Sequence, residues 1–216
     1  APNADGLLLR NSRVCSGSGA GICVDQTTAP DLANMVCPIS TELSAYTVAS
    51  KLQALYWGDE CGQIWKAGAT DTTGAAWSAQ RILRLNTPLT PSGRSKDLRK
   101  IFRKLDIVQS TCPGRKVIGI YFGTGNQQRA IATDELTVLA QNSGRDLVGV
   151  VWDDFNVPAG GWTVGNLKDV TNLDSIDAKR IYSLEDLRGW YFELPASEKM
   201  LRDPLVFEGT AYYKTF

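Results

Sequence analysis

The stretch from Ala54 to Ala67, ALYWGDECGQIWKA, constrains this chain more than any other. Ala54, Leu55, Tyr56 and Trp57 form an apolar run, Gly58-Asp59-Glu60-Cys61-Gly62 a break, and Gln63-Ile64-Trp65-Lys66 a return in which Ile64 and Trp65 are flanked by polar residues. Aromatic and β-branched residues on both sides of a Gly/Asp break specify an antiparallel hairpin. Gly58 and Gly62 take positive φ without steric cost, and Asp59 can accept from its own downstream amides, so the turn has a chemical cause. Taken alone, this is a surface hairpin with a buried Trp.

The rest of the chain repeats that grammar. Arg81-Ile82-Leu83-Arg84-Leu85 alternates, Val117 to Gly125 runs into a Gly-Thr-Gly turn, and Asp146 to Trp152 is apolar and β-branched. Three more strands are expected at Trp190 to Leu194, Pro204 to Glu208 and Ala211 to Phe216, the last two joined tightly at Glu208-Gly209. Residues 131–142 read as a strand or half-helix, and 156–186 as a long loop with a short helix near Val164 to Val170. Asp153-Asp154 offers paired carboxylates for acid/base or metal work, but its place directly after an apolar strand reads as a strand end and turn.

Two segments resist this reading. Residues 1–45 are rich in Gly, Ser, Asn, Asp, Thr and Pro and are expected to be loop with one or two short strands. Within them Gly17-Ser18-Gly19-Ala20-Gly21 lacks the G-K-[ST] ending of a phosphate loop. From Arg94 to Asp106, Leu98, Ile101, Phe102 and Leu105 fall at helical spacing beside six basic residues between Arg94 and Lys104, the pattern of an amphipathic helix with a basic face.

Composition narrows the class. A 216-residue chain with 43% hydrophobic residues can bury one large core, and zero net charge gives no global attraction to nucleic acid or anionic membrane. No run of about eighteen apolar residues and no basic-then-apolar leader occurs, and the chain begins without Met, so it is expected to be processed or partial. With no His, no G-x-S-x-G elbow and no Cys beside a catalytic companion, no catalytic residue is assigned.

Five cysteines without C-x-x-C spacing, in a chain without His, favour disulfides over zinc. Cys15 and Cys23 flank a flexible tract, and Cys37 approaches the strand that should pair with Ala54 to Gly58, while Cys61 sits in the turn. The expected pairs are Cys15 with Cys23 and Cys37 with Cys61, leaving Cys112 over. Reduced buried thiols remain the alternative.

The Gly58-Asp59, Gly62, Trp65 pattern resembles the blade hairpin of the PilY family, proteins of type IV pilus tips whose C-terminal part is a β-propeller. VIGIYFGTG with Gly123 and Gly125, LVGVVWDD, and the last segment recur in the family's order. In that last segment Gly189, Trp190, Tyr191, Leu194, Pro195, Asp203, Pro204, Val206, Tyr213, Thr215 and Phe216 match a G-W-Y, L-P, D-P-x-V and closing T-F pattern. The resemblance spans about Tyr46 to Phe216, and it places a strand from Ile101 to Val108 where periodicity suggests a helix.

The resemblance implies an all-β fold, part of a β-propeller with an incomplete set of antiparallel blades and long loops. Residues 1–45 are expected to form a loop-rich, Cys-containing N-terminal segment and 46–216 the blades of a larger propeller, whose open end strands call for further chain or a covering partner. It also implies a non-catalytic, exported cell-surface protein that supports pilus assembly or adhesion by contacting minor pilins or surfaces, with loops such as 156–165 and 17–21 carrying recognition. No nucleic acid or membrane insertion is expected. Some family members bind calcium through a D-x-D-x-D-G loop before the hairpin. Here that place holds Thr47-Val48-Ala49-Ser50-Lys51, so no metal and no cofactor is assigned. The rival expectations are a quinone-dependent periplasmic oxidoreductase, whose Trp-docking repeats are incomplete here, and a secreted carbohydrate- or polyanion-binding propeller using Arg99, Lys100 and Arg103.

Overall fold

A computed structural model describes residues 23–24, 39, 41–69, 77–85, 99–112, 115–125, 145–158, 160–172, 188–196 and 198–216. The readings placed on Cys15, Cys37, Gly17 to Gly21, residues 94–98 and residues 131–142 lie outside them.

In chain order, β1 (Cys23–Val24) precedes the run β2 (Ser44–Val48), β3 (Lys51–Gly58), β4 (Gln63–Ala69) and β5 (Trp77–Arg84). Next come β6 (Asp106–Cys112), β7 (Arg115–Gly123) and β8 (Leu147–Asp153), then two short strands, β9 (Trp162–Thr163) and β10 (Lys168–Asp169). The chain closes with β11 (Gly189–Glu193), β12 (Leu205–Phe207) and β13 (Thr210–Tyr212). No α-helix occurs among the described residues.

The strands sort into successive antiparallel meanders. β2-β3-β4-β5 make the first sheet, β6-β7-β8-β11 the second, and the β12-β13 hairpin begins a third. The last strand of each full meander is capped on its outer edge by short parallel pairings, β1 and β9 on β5 and β10 on β11. Such capping removes the unpaired edge that invites aggregation.

Period two explains why ALYW is wholly apolar. Ala54 and Tyr56 point into the core between the first two sheets, where they meet Ile64, Ile82, Ile118, Ile120, Phe122, Leu147 and Val151. Leu55 and Trp57 point to the other face, against Trp65, Ala67 and Ala79. A strand buried on both faces has no polar alternation to show. The same logic covers β8, whose Leu147 and Val151 face the first sheet while Val148 joins Leu194 and Met200 beneath the third.

Two expectations are corrected. The strand expected from Ile101 starts at Asp106, and residues 99–105 are neither strand nor helix. Their backbone groups are spent elsewhere: Ile101 N donates to Asp59 O, Gly125 N to Lys100 O, and Lys104 N to the Asp203 carboxylate. Satisfied polar groups need no ladder. The helix expected near Val164 to Val170 is one 3₁₀ turn, Val164–Asn166, closed by Thr163 N donating to Asn166 Oδ1; the chain then joins β10.

Candidate functional site

The β3–β4 turn is built around one carboxylate. Asp59 Oδ1 accepts from Cys61 N at 2.9 Å and Gln63 N at 3.0 Å; Oδ2 accepts from Gln63 Nε2 and Trp65 Nε1, both at 2.9 Å. Asp59 is buried, and burial pushes its carboxyl up to about 6 against the opposing pull of the Trp65, Gln63 and Cys61 donors. Each member of the Gly-Asp-x-x-Gly-x-x-Trp spacing thus has a task. Gly62 takes φ 71°, a conformation that side chains disfavour; its N donates to Asp59 O at 3.1 Å and its carbonyl accepts from Leu85 N at 2.9 Å. Gly58 is needed for space, not for positive φ: a Cβ there would sit 2.2 Å from Ile101 Cγ2. Cys61 takes part in a disulfide, and Cys37, its expected partner, lies outside the described residues.

A second centre, unexpected from the sequence, lies between the sheets. The Tyr56 hydroxyl donates to Asp153 Oδ2 at 2.7 Å, Lys66 Nζ is 2.6 Å from the same oxygen, and Phe155 N donates to Oδ1 at 2.8 Å. Lys66 Nζ also stands 4.2 Å from the Phe155 ring centroid. Burial first, then the Asp153 carboxylate, hold the Tyr56 phenol far above its ordinary pKa, so it remains a donor. Asp153 therefore ends β8 and starts a turn, as the sequence implies, and additionally locks one sheet to the next.

The loop after β8 is a third element of the same scaffold. Between Asp153 and β11 the chain crosses to the first sheet, where Gln80 Nε2 donates to Val157 O and the buried Arg81 donates from Nε to Gly160 O, each at 2.9 Å. It pairs with β5 as β9 and returns to the second sheet as β10. Arg81 Nη1 also donates to Gln63 Oε1, which links this crossing to the Asp59 turn. Arg188 braces it, pairing with Asp154 at 2.9 Å and stacking 4.6 Å from Trp162. Much of the backbone expected to carry recognition is thus engaged in joining the sheets.

The C-terminal motif residues pack against β6, β7 and β8. Gly123 lies under Met200, and Gly125 lies against Lys199. Thr124 O accepts from Met200 N, while Thr124 Oγ1 bridges Leu147 N and Asp146. Trp190 meets Tyr213 edge-on at 6.4 Å, and Tyr213 donates to Gly149 O. Pro204 is buried, and its neighbour Val206 donates to Asp106 Oδ2, which fastens the third sheet to β6.

Among the described residues of the basic segment, three make polar or ionic contacts. Lys100 pairs with Glu60 at 3.3 Å and Lys104 with Glu42 at 3.5 Å; Arg99 donates to Arg145 O and Leu85 O, with Glu193 3.7 Å away. Arg103 Nε is buried without a hydrogen-bond partner. Among the described residues no cluster of three or more His, Cys, Asp or Glu is placed to hold a metal, and no helix is long and apolar enough to cross a membrane. Asp59 and Asp153 have their oxygens occupied by protein donors, an arrangement that positions strands.

No family model and no curated protein matches the chain. Among solved structures, the crystal structure of the Pseudomonas aeruginosa PilY1 C-terminal domain is similar, with a TM-score of 0.51 and 14% identity, covering 81% of this chain and 44% of that one. The fold is PilY-like. What the two share at this identity is architecture, and the chain spans less than half the length of that PilY1 domain. In the PilY-like frame the two full meanders are neighbouring blades, and β12-β13 is a separate two-stranded sheet.

Proposed function

We propose that this chain is a propeller segment of a type IV pilus-associated, exported surface protein that acts by contact and not by catalysis. The observation that carries the reading is the succession of antiparallel meanders, similar over 81% of the chain to the PilY1 C-terminal domain. The interior is consistent with that role. Its buried carboxylates, Asp59 and Asp153, are held by donors from the same and neighbouring strands, giving a rigid platform whose surface is left for partners. The disulfide at Cys61 fits passage through an oxidising compartment. Minor pilins are the proposed partners, with pilus assembly or attachment as the outcome. The test is capture of purified minor pilins on the immobilised chain, with piliation scored in a strain lacking the full protein. Absence of any pilin retention together with normal piliation would sink the reading.

A further inference from the structure

The stretches that lead into β6 and β12 are built alike. Ile101 N donates to Asp59 O at 3.1 Å, and Met200 N donates to Thr124 O at 3.0 Å. Ile101 fills the space left by Gly58, and Met200 fills that left by Gly123. Lys100-Ile101-Phe102-Arg103 therefore matches Lys199-Met200-Leu201-Arg202, and in both the chain bends at the Arg and enters its strand three residues later, at Asp106 and Leu205. The residues directly after the two arginines bond each other, Lys104 N donating to Asp203 Oδ1 at 3.1 Å, which sets the two stretches side by side. Arg103 and Arg202 also differ from every other charge of 99–106 and 198–206. Asp106, Glu198 and Asp203 accept from Val206 N, the Thr215 hydroxyl and Lys104 N. Arg99, Lys100 and Lys104 have the partners already named, and Lys199 is buried and engaged. The two arginines have no hydrogen-bond or ion-pair partner among the described residues, Arg202 being exposed and Arg103 partly buried with its Nε shut off from water.

We propose that Arg103 and Arg202 together bind two carboxylates on an acidic segment of a partner polypeptide. A buried donor left unpaired in an otherwise satisfied network calls for a reason, and a cation held for an incoming anion supplies one. Because Arg103 is partly withdrawn from water, an ionic contact to it is screened less than one on open surface. The planar guanidinium fork matches a planar carboxylate. Separate carboxylates fit better than a continuous polyanion. Glu42, whose side chain is 81% exposed, pairs with Lys104, and Asp203 stands beside both stretches, so a uniformly charged polymer would lay its own charge against these two acids. A peptide with spaced acidic residues meets one arginine in each repeat and leaves the acids between them clear.

Fluorescence anisotropy of a labelled Glu-Gly-Glu-Gly-Glu peptide, titrated with the whole chain at low salt, is the test. The expected result is saturable binding that Arg103→Gln and Arg202→Gln each weaken about tenfold, the scale of one charged hydrogen bond. Arg202 is exposed, so its replacement leaves the core intact and keeps the test informative should Arg103→Gln fail to fold. The assay contains no pilin, so its failure leaves the pilus reading standing, and failure of pilin capture leaves this site standing. No saturable binding, binding indifferent to both substitutions, or heparin bound more tightly than the peptide through the same two arginines would each overturn the proposal.

Discussion

The Tyr56 hydroxyl, on the first sheet, donates a 2.7 Å hydrogen bond to the Asp153 carboxylate at the end of a strand of the second. With Lys66 on the same oxygen, this is a buried three-membered tie that holds one sheet to the next. Removing one partner of a buried ion pair strands the other. Asp153→Ala is expected to cost about 3–5 kcal/mol, and Tyr56→Phe about 1–3 kcal/mol because only a hydrogen bond is lost. Urea denaturation of the two variants checks both values. Equal losses would mean that the Lys66 charge does not count.

Asp59 makes stability depend on pH in an unusual direction for a carboxyl. Its folded pKa, about 6, lies above the ordinary 3.8, so the folded state takes up the proton more readily than the unfolded chain. The associated stabilisation is complete below about 3.8 and is lost as pH rises through about 6, a contribution of about 2–3 kcal/mol. Denaturation midpoints measured from pH 4 to pH 8 should fall across that window. Asp59→Asn should remove this part of the slope while lowering stability throughout, because the amide nitrogen sets a donor against the Trp65 or Gln63 donors. A slope that survives the substitution would assign the titration to another group.

What the sequence revealed was local. Asp59, Gly62 and Trp65 lie within one hairpin and meet through the Asp59 carboxylate and backbone, so their spacing carries their chemistry. Tyr56 and Asp153 are separated by 97 positions, and nothing in either neighbourhood marks the other as its partner. The crossing after Asp153 was illegible for a different reason: β9 and β10 are two residues each, too short for any period to show. Ile101 and Leu105 are both buried with the helical spacing that suggested an amphipathic helix, yet their segment is irregular because its amides serve Asp59 and Asp203.

Two glycines separate steric causes. At Gly58 an added Cβ meets the Ile101 side chain at 2.2 Å; at Gly189 it meets the Val150 carbonyl oxygen at 2.0 Å, with φ at 141°. A side chain can repack and a central strand's carbonyl cannot, so Gly58→Ala is expected to cost about 1–3 kcal/mol and Gly189→Ala more. Adding Ile101→Ala, which removes the colliding Cγ2, should cost less on top of Gly58→Ala than the same change costs on top of Gly189→Ala. Thermal melts of the four variants decide it, and the reverse order of the two single losses would contradict the steric account.

Arg81 carries the crossing loop, and its removal should loosen that loop before anything else. It is buried, donates to Gln63 Oε1 and to Gly160 O, and so holds the Asp59 turn and the loop with one fork. Arg81→Met keeps the bulk and removes the donors, with an expected loss of about 3 kcal/mol. Arg81→Lys should recover little of it, because a single ammonium does not reproduce the planar fork that reaches two separated acceptors. Hydrogen exchange gives the local readout: amides of 161–163 should exchange faster in Arg81→Met, while those of β6 and β7 keep their protection. Unchanged exchange at Trp162 and Thr163 would show that the parallel pairing of β9 with β5 holds the crossing without Arg81.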